Sequence, residues 1–349
     1  MKVLLTGAAG FIGTAIGARL AEAGHEVVGV DLMLASAHGD STPPDGVHQL
    51  DVREAGSPEW ADLLRGTDVV CHQAALVGAG VRVGDLPAYA SHNDVGTTAL
   101  LAAMHDAGVD RLVLASSMVV YGEGRYTCPE HGDQEPPPRS VTALEGGDFE
   151  NQCPACGRPL GWSLVPEDAG LDPRSSYAAS KLAQEHYTSS WVRQAGAGAV
   201  ALRYHNVYGP GMPRDTPYSG VAAMFRSSIE RGERPQVYED GGQVRDFVHV
   251  DDVARANVLA LEQVVAEQAP RFAAYNVCSG TPVTILDVAR QVSAGTGSGI
   301  EPEVTGQFRP GDVRHVVASP ARASAELGFT AAVGPATGLA AFATASLRA

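Results

Sequence analysis

Lys2-Val3-Leu4-Leu5-Thr6-Gly7-Ala8-Ala9-Gly10-Phe11-Ile12-Gly13 opens the chain with a short apolar run that ends in three spaced glycines. The run Lys2–Thr6 predicts a strand and the stretch Phe11–Ala23 a helix, so the glycines fall where the chain must turn sharply. Such a turn lets backbone approach a pyrophosphate closely, and the helix behind it presents unpaired N–H groups and a positive dipole end. Gly7, Gly10, Phe11, Ile12 and Gly13 are therefore candidate dinucleotide contacts. Asp31 closes the next apolar run, Glu26–Asp31, 18 residues after Gly13. A carboxylate there accepts hydrogen bonds from both ribose hydroxyls and repels a 2′-phosphate, which favours NAD over NADP.

Working outward, Val47–Leu50, Asp68–His72, Arg111–Ser116 and Ala199–Tyr204 also read as strands, interleaved with helical patterns at Asn93–Ala107 and Tyr177–Gln194. That rhythm implies βαβ units and a Rossmann-type, doubly wound parallel sheet covered on both faces. Residues 1–203 are expected to form this dinucleotide domain, and 204–349 mainly a smaller α/β substrate domain. Part of 236–278 is expected to return to the first domain, and 125–166 reads as an insertion.

Of 349 residues, 44% are apolar and 19% charged, which describes a globular chain with a sizeable core. The net charge of −15 opposes nucleic acid and anionic membranes as partners. No apolar run approaches the ~20 residues of a bilayer span, so a cytoplasmic location is expected. Five cysteines, an odd number, argue against a disulfide framework.

Tyr177-Ala178-Ala179-Ser180-Lys181 places a phenol and an ammonium four residues apart, on one face of a helix. An ordinary phenol, with a pKa near ~10, is a poor base at neutral pH, and a neighbouring ammonium stabilises its phenolate. The pair can then exchange a proton. It follows a strand that ends in Ser116-Ser117.

At this point the sequence resembles the extended short-chain dehydrogenase/reductase superfamily, in its nucleotide-sugar epimerase/dehydratase branch. The glycine turn, Asp51-Val52, His72-Gln73-Ala74-Ala75, Asn93 through Thr97, Ser116 through Gly122 and Tyr177 through Lys181 carry the resemblance. So do Arg203 through Pro210, Arg245 through Asp252 and Arg309-Pro310-Gly311-Asp312. The resemblance implies Tyr177 as acid/base, Lys181 on the nicotinamide ribose, and Ser117 on the same sugar oxygen as Tyr177. It further implies Asp51 and Val52 at the adenine, and Ala74, Ala75 and Asn93 along the cofactor. Asn206, Arg245 and Arg309 would hold the substrate diphosphate, and the chain would form a homodimer.

In the 4,6-dehydratases of this branch an Asp-Glu pair follows the catalytic Ser or Thr, because elimination needs an additional acid and base. Met118 and Val119 stand there instead, which points to a 4-epimerase. A 4,6-dehydratase or 4-keto reductase is the alternative within the family, and an idle NAD-binding module the alternative outside it.

The insertion carries Cys128-x2-His131 and, 21 residues later, Cys153-Pro154-Ala155-Cys156-Gly157. Two short chelating pairs suit a closed tetrahedral zinc site of structural type. The acids Glu130, Asp133, Glu135, Glu145, Asp148 and Glu150 outnumber Arg139 and Arg158, which opposes a nucleic-acid-binding role. Its position after Tyr121 leads us to expect a flap near the sugar site.

Overall fold

Apolar side chains that alternate along seven parallel strands build the central sheet of the protein. The structure, a computed structural model, describes residues 1–214 and 220–348. The strands are β1 Lys2–Thr6, β2 Glu26–Asp31, β3 Val47–Gln49, β4 Val69–His72, β5 Arg111–Ser117, β6 Gly198–Tyr204 and β7 Arg271–Val277. Their spatial order is β7-β6-β5-β4-β1-β2-β3, every pairing parallel.

Because successive side chains leave a strand on opposite sides, a doubly covered sheet needs apolar residues at consecutive positions. Val3, Leu5, Val69, Cys71, Val113 and Leu202 share one core with helices α1, Phe11–Glu22, and α4, Val250–Ala266. Leu4, Val70, Leu112 and Leu114 share the other with Trp60 and with helices α2, Gly96–Ala107, and α3, Ser176–Ala195. A third cluster, including Tyr208, Phe225, Phe247, Val288, Leu339 and Phe342, holds the smaller body from the second half of the chain. Among the described residues, no helix is long and apolar enough to cross a membrane.

The expected helix Asn93–Ala107 is in two parts. A wider π-type turn, Ala90–Val95, precedes α2 and buries Asn93 completely. Its amide spends its hydrogen bonds on the Leu76 backbone, at 2.7 and 3.0 Å, and on Ser180 Oγ, at 2.9 Å, which fixes the irregular turn.

The insertion folds as a three-stranded antiparallel sheet, with Arg125–Cys128 between Gly132–Gln134 and Gly161–Ser163. Its own core is Tyr126, Cys128, Cys153 and Leu160. It packs on the Arg314–His315 segment, where Tyr126 Oη accepts the His315 N–H at 2.9 Å. None of its described residues lines the large cleft, so the expectation of a flap over the sugar is corrected. The side chains that hold the insertion, Glu239, Arg314 and His315, are not among the residues that line the cleft.

A buried ion pair crosses from β6 to α3. Arg203 Nε and Nη2 donate to Glu185 at 3.0 and 2.8 Å, and Ser116 Oγ donates to the same carboxylate at 2.5 Å. Removing one partner of such a pair strands the other in a medium that solvates it poorly. Glu185→Ala is expected to lower stability by about 3–5 kcal/mol in denaturant unfolding. A loss below about 1 kcal/mol would show that the guanidinium finds other partners.

Candidate active site

Beyond the C-terminal ends of the strands, where the order reverses between β1 and β4, lies a cleft of about 970 Å³. At one end Gly7 has φ +68°, and a Cβ there would lie 2.8 Å from the Ala74 nitrogen. A Cβ on Gly13 would lie 2.0 Å from the Gly7 carbonyl oxygen, so only glycine lets α1 approach the turn. No side chain caps α1 at Gly10, so its first N–H groups are left for a ligand. Phe11, Ile12, Ala74 and Ala75 line the same wall.

Asp31 sits at the end of β2 with its carboxylate held by the N–H groups of Ala9 and Met33 at 3.0 and 2.9 Å. His38 Nε2 stands 3.3 Å from the same carboxylate. Burial lowers the His38 pKa, the Asp31 charge opposing it and the Arg348 charge adding to it. Arg348 donates to the Ala9 carbonyl at 2.5 Å and lies 2.9 Å from His38 Nδ1, closing this end of the cleft. Asp51 and Val52 line the neighbouring wall. Burial pushes the Asp51 carboxyl up, but its bonds from the Arg53 side chain and backbone outweigh that and hold it below its ordinary range.

On the opposite side, α3 presents Tyr177 and Lys181 to the end of β5. Burial raises the Tyr177 pKa, and a hydrogen bond with Ser117 partly offsets it. Lys181 Nζ donates to the Ala115 carbonyl at 2.9 Å and lies 5.9 Å from the Tyr177 ring centroid. Burial pulls Lys181 down to about 8, against the charges of Glu185 and Asp94. It therefore stays mainly cationic at pH 7 and can stabilise a phenolate beside it. Met118, Leu76, Val77 and Ala79 supply apolar surface to the cleft, and its acids are Asp31, Asp51 and Asp312.

Two of the expected substrate contacts, Asn206 and Arg309, line the cleft. Asn206 Oδ1 is buried without a partner among the described residues, and the Arg309 guanidinium lies 5.1 Å from the Tyr238 ring centroid. Arg245 is placed differently: its guanidinium is buried and donates to the carbonyls of Val244, Arg314 and Val313 at 2.9, 2.8 and 2.7 Å. Those fixed carbonyls orient it away from the opening, so it supports the wall and does not line it. Asn93 likewise stands behind the wall, joining the loop at Leu76 to α3.

Sequence reading missed Arg348, His38 and His205. His205 lines the cleft at 4% exposure, and neither ring nitrogen has a hydrogen-bond partner among the described residues. Burial, with the Arg245 charge adding, holds it down to about 3, so the ring is neutral and offers one donor and one acceptor. Its place between Tyr204 and Asn206 was the available signal.

The description "NAD dependent epimerase/dehydratase family" fits residues 3–143 and 162–278 of this chain. The chain is 35% identical, over 94% of its length and 90% of the relative's, to dTDP-L-rhamnose 4-epimerase of Burkholderia thailandensis. UDP-glucose 4-epimerase of Thermotoga maritima, solved with UDP-glucose, superposes with TM-score 0.78 at 27% identity, covering 98% and 97% of the two chains. That of Thermus thermophilus, solved with NAD, gives 0.73 at 32% identity, covering 98% of both. The chain belongs to the NAD dependent epimerase/dehydratase family. Within it, the chain falls among the NAD-dependent nucleotide-sugar 4-epimerases.

Cofactor-stripped protein titrated with both dinucleotides should bind NAD more tightly than NADP, and Asp31→Ala should narrow the difference. Equal or tighter NADP binding by the unmodified protein would remove Asp31 from this role.

Proposed function

We propose that this cleft inverts C4 of a nucleoside-diphosphate 6-deoxyhexose with no net redox change. The observation that carries the reading is the composition of the wall beside Ser117 and Tyr177. Met118, Leu76, Val77 and Ala79 provide apolar surface there, and among the described residues that wall offers no acid or base suited to eliminating water between C5 and C6. The full cations of the described lining are Lys181, Arg309 and Arg348. Lys181 is committed to the Ala115 carbonyl, Arg348 closes the Asp31 end, and Arg309 is assigned to the diphosphate, so none remains for a C6 carboxylate. An apolar C6 methyl fits that wall, and the relative at 35% identity acts on dTDP-L-rhamnose, a 6-deoxy sugar.

In this reading Tyr177 takes the proton from O4 while Ser117 hydrogen-bonds the same oxygen and Lys181 holds the phenolate. NAD, held by the glycine turn and Asp31, would supply reversible hydride acceptance for C4 when bound. Asn206 and Arg309 hold the diphosphate and His205 bonds a sugar hydroxyl, so the 4-keto sugar can turn without leaving. Val95 and Tyr187, half-exposed on adjoining helices of the NAD half, are where a second copy would dock in a homodimer.

Tyr177→Phe should reduce turnover by at least ~10²–10⁴-fold. A substrate deuterated at C4 should give the 4-epimer with its label kept, and reaction in heavy water should leave C5 unlabelled. Solvent deuterium at C5 or a 4-keto-6-deoxy product would overturn the reading of the chemistry. A preference for UDP-glucuronic acid over dTDP-L-rhamnose would overturn only that of the sugar.

For the insertion we infer one structural zinc ion. The ligand atoms of Cys128, His131, Cys153 and Cys156 all lie within 4.8 Å of one another, with Cys128 Sγ 3.4 Å from His131 Nδ1. That donor set and compactness suit tetrahedral zinc. Metal analysis should give about one zinc per chain, falling sharply in Cys153→Ser. Metal-free protein purified without chelator would exclude the site.

A further inference from the structure

Arg309 lies on a short turn, closed by the Asp312 N–H to the Arg309 carbonyl at 3.1 Å, and both side chains line the cleft. What holds this turn from behind comes from the insertion. Arg139 donates to the Asp312 carbonyl at 2.8 Å and to the Phe149 carbonyl at 2.9 Å. It also forms a two-pronged pair with Glu239 at 2.9 and 2.8 Å, the two side chains only 4% and 2% exposed. Glu239 shares its second oxygen with Arg314 at 2.8 Å, and Arg314 in turn takes Glu150 of the insertion at 2.6 Å. Buried, doubly hydrogen-bonded pairs of this kind fix direction as well as position.

Both chain segments of the Cys and His cluster lead into this network. Glu150 precedes Cys153 by three residues, and Tyr126, which holds the His315 N–H, precedes Cys128 by two. The apolar core of the insertion is small, and Cys128 and Cys153 make up half of its four residues. Small units with so little apolar burial depend on a metal or disulfides for their fold, and the five cysteines of this chain are free.

We propose that the metal in the insertion preorganises the Arg309–Asp312 turn through Arg139, so that it governs nucleotide-sugar affinity and not the chemical step. Arg139 is then a positioning residue. The inference rests on the reading of Arg309 as a diphosphate ligand. The gain comes from holding a cation in its bound position before the anion arrives, which removes an ordering cost from association.

The test uses full-length protein with NAD bound. Dissociation constants for dTDP and UDP, and kcat and KM for the nucleotide sugar, are measured before and after metal removal with a chelator, and in Arg139→Ala. Each change should weaken the better-bound nucleotide by about tenfold and raise KM alike, leaving kcat within about twofold and NAD retained. Metal removal from Arg139→Ala should add nothing further. A fall in kcat at unchanged nucleotide affinity, or additive effects, would overturn the proposal. Should Arg139→Ala fail to retain NAD, the chelated unmodified protein decides by the same criteria. Arg309→Ala separates the two readings. If it leaves nucleotide affinity unchanged, the diphosphate assignment falls and the proposal with it. If it weakens affinity while metal removal and Arg139→Ala do not, only the brace falls.

Discussion

The Glu185 carboxylate gathers the three elements that carry the chemistry. Through Ser116 it sets the end of β5, where Ser117 begins the turn into the cleft. Through Arg203 it sets the end of β6, from which His205 and Asn206 follow. On its own helix it stands one turn after Lys181, whose ammonium it helps retain against burial. A buried charge is expensive unless every lone pair is used, and here the bonds that satisfy it also fix the distances on which proton transfer depends. The Arg203 guanidinium extends the network to Tyr121 and the Glu167 carbonyl at 2.8 and 2.9 Å, so the segment after Ser117 is anchored too.

Charge is distributed along the cleft by role. Asp31 and Asp51 lie where neutral ribose and adenine are expected, and Arg309 where a diphosphate would sit. Between them Leu76, Val77, Ala79 and Met118 give the wall apolar surface, and His205 is held neutral by burial. A net charge of −15 would otherwise repel a dianionic substrate, so the few cations that face it have to be held in place. Asp312 tempers Arg309, and burial raises the carboxyl of Asp312 while Arg309 and Arg245 lower it. The family match is interrupted between residues 143 and 162, the stretch that contains Glu150, Cys153 and Cys156. Of the residues behind Arg309, Glu150 lies in that interruption, whereas Arg139 and Glu239 fall within the matched stretches.

What could be read from sequence was whatever local spacing encodes. The glycine turn, Asp31, and the Tyr177 and Lys181 pair owe their geometry to residues within one strand, turn or helix, and the alternating apolar runs gave the sheet. The placement of Arg245 and Asn93 was not legible, because the direction of a long or polar side chain is decided by carbonyls and hydroxyls far away in sequence. Arg348 was invisible for the same reason, its contact with Ala9 joining residues 339 apart. The Cys and His spacing marked the cluster that these four residues form. It could not say which side of the cleft wall the insertion would occupy, since that depends on Glu239 and Arg314.

The strand order has a kinetic consequence. β1, the first strand of the chain, lies inside the sheet, and β7 completes the far edge by pairing all seven of its residues with β6. Most neighbours must therefore be brought together across long stretches of chain, a topology that folds slowly. The cleft, lined from Gly7 to Arg348, takes its full form only once these distant pairings exist. A dinucleotide that binds only the finished cleft draws the folding equilibrium toward it, by about 2.7 kcal/mol at a hundred times its dissociation constant. The cofactor would thus act thermodynamically as a late folding partner as well as a reagent.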